Sequence, residues 1–224
     1  MRRLCIIACC GVFLFVACSS QTPKTTGGLG EKLPLAPGQY PGTLVYRSPT
    51  LDTNSGRYKA LFVDDADIYH AADADFGNAS QADKERLAAK LASEFRSALT
   101  KHKYPLATQP GQGVVRIHLT LAGLKESKPV AATVLRLTPL GLGMSAANTV
   151  AGHSSALVGS VTVAGEITDT QSKEALAGFV ATESPIALDI SSGLGTLRAA
   201  ELGIERGAEE FATDLDRTLN RSPK

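Results

Sequence analysis

The sequence predicts an α+β fold: a single domain in which a mixed or antiparallel sheet of about four to five strands packs against two long helices. Three patterns carry this prediction. Val115, Ile117, Leu119 and Leu121 alternate with Arg116, His118 and Thr120, the period of a strand with one buried face. Leu87, Leu91, Phe95 and Leu99 recur at four-residue steps, with Ala88 and Ala92 beside them, which is the stripe of an amphipathic helix. A second stripe of Leu197, Ala200, Ile204, Ala208, Phe211, Leu215 and Leu219 forms the last long element.

The chain opens with Arg2 and Arg3, followed by an apolar run over residues 4–15. A run of that length suits a signal peptide and falls short of the ~20 residues that cross a bilayer as a helix. Phe15-Val16-Ala17-Cys18 then resembles a lipobox, the signature of bacterial lipoproteins. The resemblance implies removal of residues 1–17 and acylation of Cys18. Ile6-Ile7-Ala8-Cys9 matches the same pattern but leaves too short an apolar run before it. Ser19 after the cysteine favours the outer membrane by the same resemblance, with the domain facing the periplasm of a Gram-negative bacterium. Two or more acyl chains anchor a protein stably, so no spanning helix is needed.

The four cysteines are Cys5, Cys9, Cys10 and Cys18. Three leave with the signal and the fourth carries lipid, so the mature chain has no free thiol for a disulfide, a metal or a nucleophile. From Cys18 onward 21 basic residues stand against 22 acidic ones, without a basic block. That argues against nucleic acid as a partner. Residues 18–43, rich in Pro, Gly, Ser and Thr, read as a lipidated, disordered tether, and residues 44–220 as the single domain.

Within the domain, residues 58–63 (YKALFV) form a short apolar run expected as a buried strand, followed by a polar loop. Ser80 with Asp83 three residues on marks a helix start. Val161, Val163 and Ile167 alternate with Thr162, Glu166 and Thr168. Residues 169–174 are turn-like, and residues 175–182 return as the partner of a hairpin. Gly203 and Gly207 give the final helix a small face on which to approach a neighbouring backbone.

Several stretches invite a site. Between Glu126 and Glu166 there is no acidic residue, but polar residues throughout 138–159 exclude a membrane span. Gly152-His153-Ser154-Ser155-Ala156 approaches a serine-hydrolase elbow. It lacks the strand before and the helix after that such an elbow needs, and no histidine follows His153. The segment reads as a packed connector, with Thr138 and Pro139 opening a short helix.

Asp73-Ala74-Asp75-Phe76-Gly77 begins like a calcium loop but puts Gly at a ligand position and Lys84 where the closing Glu belongs. His70, His102, His118 and His153 form no zinc-spaced pair. The sequence thus assigns no catalytic residue, no cofactor and no metal ligand; its one assigned site is lipidation at Cys18. The expectation is a non-enzymatic envelope module, membrane-bound through its lipid and engaging an envelope protein. The alternative is a small-molecule or glycan binder using a cleft beside His118 and the 64–75 loop, and behind it an unrecognised hydrolase resting on His153 and Ser154.

With these elements placed, the chain resembles the bacterial lipoproteins of the domain-of-unknown-function family 3313. The carriers are YRSPTLD (46–52), YKALFVDD (58–65), the helix from Ser80 through RLAAKLASEFRSAL, YPLATQPGQGVVRIHLTL (104–121) and GSVTVAGEITDTQSKEALA (159–177). The resemblance implies an exported lipoprotein and supplies no catalytic residues. Lys173 stands where Gly is common in the hairpin turn, which leaves the turn type open.

Overall fold

The computed structural model describes residues 22–51, 55–125, 159–183 and 196–218. Their strands are β1 (Ala36–Pro37), β2 (Thr43–Arg47), β3 (Ala60–Val63), β4 (Asp67–Ile68), β5 (Val114–Lys125), β6 (Ser160–Asp169) and β7 (Ala175–Glu183). Helix α1 spans Gln81–Lys101 and α2 spans Thr196–Thr218. The α+β class holds. The sheet has seven strands, ordered β1-β2-β7-β6-β5-β3, with β4 also on β5. This exceeds the expected four to five because β1 and β4 are two residues each, too short to show a period in the sequence. All pairings are antiparallel except those of β3 and β4 with β5, which are parallel. A parallel pair needs a crossover, and α1 supplies it between β3 and β5.

The alternation in β5 works as predicted. Val115, Ile117, Leu119 and Leu121 are buried, while Arg116, His118 and Thr120 are half-buried on the other face. The β5–β6 register shifts between Leu121 and Gly123. Beyond that bulge Ala122, Gly123 and Leu124 are all buried, so both faces are covered there. Helix α1 starts as expected: the Asp83 amide donates to Ser80 Oγ at 3.2 Å. Its stripe of Leu87, Leu91, Phe95 and Leu99 is buried against the sheet.

Helix α2 brings Ala200, Ile204, Ala208 and Ala212 into the same core. A Cβ on Gly203 would come 2.9 Å from Val161 Cγ1 and 3.3 Å from the Glu183 carbonyl oxygen. The GxxxG spacing therefore seats the helix on the sheet.

The β6–β7 hairpin closes through a turn in which Asp169 Oδ1 accepts from the amides of Gln171 (2.7 Å) and Ser172 (3.1 Å). Lys173 takes the left-handed φ of 61° that Gly would adopt more easily. The turn therefore keeps the glycine-type backbone despite carrying a lysine.

The stretch read as a disordered tether is corrected from residue 22 onward. Residues 29–31 form a short 3-10 turn, and β1 pairs with β2. Leu29 and Leu33 are buried with Ala164 and Val180 on the sheet face away from the helices. Gly178 makes this possible, since a Cβ there would sit 2.6 Å from Leu33 Cδ1. The domain therefore begins well before residue 44, as three layers: helices, sheet, and an N-terminal strap. The strap's leucines have no period, so composition alone read them as loop.

Candidate functional site

Helix α1 covers β5 and α2 covers β6 and β7, but the sheet continues past them to β2. Thr43, Val45 and Arg47 pair with Ala181, Phe179 and Ala177, and so share the helix-side face. These residues floor a groove of about 590 Å³ running beneath the C-terminal half of α2. Phe95, Phe179 and Phe211 form its central wall, one ring each from α1, β7 and α2, with centroids 5.3–6.1 Å apart. Phe179 lies over Gly165, where any side chain would overlap its ring.

Polar groups occupy the ends. At the β2 edge, the β1–β2 turn reaches over to α2: Gln39 Nε2 and Tyr40 Oη donate to Asp214 at 3.3 and 3.1 Å. Arg217 Nη1 bonds both Tyr40 Oη (2.8 Å) and Asp214 (2.7 Å), and its hydrogen bond to Tyr40 raises its pKa further. At the opposite end, Tyr58 Oη donates to Asp169 (3.0 Å) and Tyr104 Oη to Asp216 (2.7 Å). Burial pushes the Tyr58 pKa up.

Both tyrosines line the groove. Burial also raises the Glu183 carboxyl, against the opposing pull of Arg206, which donates to it at 2.8 Å.

The alternative cleft beside His118 lies on the opposite sheet face. Asp64 accepts from Arg116 Nε at 2.6 Å and lies 3.3 Å from His118 Nδ1; His118 Nε2 lies 3.3 Å from Asp67. The loop's other acids are used elsewhere. Asp73 accepts from Tyr69 Oη at 2.8 Å, a bond that lowers its pKa, and Asp75 accepts from the Gly77 amide at 3.4 Å. Structure thus joins His118 to Asp64 and Asp67 but not to Asp73 or Asp75. Among the described residues no group of three His, Cys, Asp or Glu side chains comes together to hold a metal ion.

His102 is placed elsewhere again, capping α1 with its ring between Asp216 (2.6 Å) and Glu209 (3.2 Å) of α2. Cys18, His153, Ser154 and most of the 138–159 segment lie outside the described residues. The groove itself went unread in the sequence. Its residues are scattered between Gln39 and Thr218, and Val45, Ala177 and Ala181 look like ordinary strand positions. One signal was available: Tyr40 and Val45 are large apolar groups in a stretch that composition assigned to a linker boundary.

A helix-backed mixed sheet with an apolar groove at one edge defines a single α+β domain. The chain belongs to the family described as protein of unknown function DUF3313, which it matches over residues 34–211. No curated protein matches it. Among solved structures it is similar to PelC from Paraburkholderia phytofirmans, described as a dodecamer. A single-substitution variant of PelC aligns at 11% identity and a TM-score of 0.38, covering 75% of this chain and 93% of that one. A second PelC structure aligns at 8% identity and a TM-score of 0.36, covering 75% and 96%. At such scores no property of PelC transfers.

Proposed function

We propose that this protein is a lipid-anchored envelope module that binds rather than catalyses, held on the outer membrane with its domain in the periplasm. The observation that carries the reading is the sequence Phe15-Val16-Ala17-Cys18 directly after an apolar run of signal-peptide length. Support comes from the described body. No helix in it is long and apolar enough to cross a membrane, so an acylated cysteine would supply the attachment. The body carries an apolar groove at whose ends Tyr40, Tyr58, Tyr104, Glu183 and Asp214 are engaged in hydrogen bonds and ion pairs. An envelope protein remains the favoured partner class, reached by the surface the anchor presents.

The second reading, a small-molecule binder, is moved by one observation from the His118 face to the groove. The groove has a volume within the ~300–1,000 Å³ typical of ligand sites.

The test is fractionation of cells producing the full chain or its Cys18→Ser variant. The parent should sediment with membranes and carry an acylated N-terminal cysteine by mass spectrometry. The variant should appear in the soluble periplasmic fraction or retain its signal. A parent protein found soluble, or with residue 18 unmodified, ends this reading.

A further inference from the structure

The groove opens at the same place where the N-terminal segment enters the fold. Gln39, Tyr40 and Thr43 form one lip of the groove. The same three residues, together with Thr22, line a small recess of about 160 Å³ on the other side of that lip. Thr22 stands four residues after Cys18. At ~3.3–3.6 Å per extended residue, the four steps between them can span at most roughly 14 Å from Thr22. Tyr40 and Val45, the exposed large apolar side chains of the described residues, both border the groove at this end. Isolated apolar side chains on a surface need no explanation, but two at the mouth of an apolar channel mark a binding edge.

We propose that this groove is an acyl-chain site and that its occupant is an acyl chain carried by Cys18 of the same molecule. The proposal rests on the reading of Cys18 as lipidated. The chemistry fits on three counts. The floor of Val45 and Ala181 and the walls of Phe179, Phe211 and Leu215 offer apolar contact along the groove. The hydroxyls of Tyr40, Tyr58 and Tyr104 at its ends are already bonded to Asp214, Asp169 and Asp216, so an unbranched hydrocarbon would leave these groups satisfied.

The third count is geometric. The Tyr40–Asp214–Arg217 bridge ties the lip to α2, next to the recess that Thr22 lines. With the triacylated cysteine that the lipoprotein resemblance implies, sheltering one chain leaves two in the bilayer, enough for stable attachment. The domain is then held against the membrane by its groove as well as by its tether.

The experiment places a benzophenone side chain at position 45 in the full-length protein, irradiates intact membranes and maps the products by mass spectrometry. The expected product joins the residue-45 peptide to the acylated N-terminal peptide of the same chain. Filling the floor with Ala181→Phe, or independently with Ala177→Leu, should reduce that product several-fold while far-ultraviolet circular dichroism stays at the parent value. Cross-links only to bilayer phospholipid, to a second protein or to residues 126–158, or no cross-link at all, overturn the proposal while Cys18 is found acylated. An unmodified Cys18, seen directly in the mass of the N-terminal peptide, instead sinks the anchor reading on which it rests.

Discussion

Gly203 and Gly207 lie one turn apart on α2 and face different constraints. A methyl on Gly203 meets Val161 Cγ1 at 2.9 Å and the Glu183 backbone oxygen at 3.3 Å, whereas one on Gly207 meets only the flexible Glu183 Cγ at 3.3 Å. Replacing helical Gly by Ala contributes ~1 kcal/mol through backbone entropy. Gly207→Ala should therefore gain up to about 1 kcal/mol in urea unfolding. Gly203→Ala should show no gain, or a loss of ~1–3 kcal/mol from overpacking. Equal gains at both sites would refute the close approach.

His102 gives a pH signature. Hydrogen bonds to Asp216 first, then Glu209, raise its pKa above the ordinary 6.5. A group raised on folding contributes stability that is complete below its unfolded pKa and is lost as pH climbs through its folded pKa. The urea midpoint should accordingly fall as pH rises from about 6, and His102→Gln should flatten that fall. Sequence reasoning reached His102 only as a candidate ligand, because its partners lie more than a hundred residues away on α2.

At the scale of elements, the N-terminal strap is the strongest departure from what composition suggested. Leu29 is 4% exposed and Leu33 8%. Leu29→Ala should cost ~2–5 kcal/mol, the range for a buried leucine. A change under ~0.5 kcal/mol, the usual surface effect, would restore the disordered tether. Gly27 and Gly28 adopt φ of 60° and 78°, and Gly27 passes within a hypothetical Cβ contact of Ala164 and Ala122. The same glycines that signal a linker in sequence are here used for close passage over a sheet. By contrast, α1 was legible from Ser80 to its last leucine, because cap and stripe are both local features. The strands of the β6–β7 hairpin were legible too, whereas its turn type was left open by Lys173 and only the structure shows that residue in the left-handed position.

For the whole molecule, three aromatic rings join what the chain separates. Phe95, Phe179 and Phe211 bring α1, β7 and α2 to one point. Phe95 is 2% exposed, so Phe95→Ala should cost ~3–5 kcal/mol. The loss should appear as one cooperative transition, coincident by near- and far-ultraviolet circular dichroism. Separate transitions would show that the helices and sheet do not unfold as one unit.

The sequence by itself determined the α+β class, both helix stripes, the strand alternation and the family resemblance, since each is written in neighbours a few residues apart. Tertiary structure alone decided that the early segment straps the sheet, that β2 extends the sheet past its helices, and that this overhang makes a groove. Those outcomes depend on which distant side chains meet across the sheet, and hydrophobic periodicity along one strand carries no record of where a partner element ends.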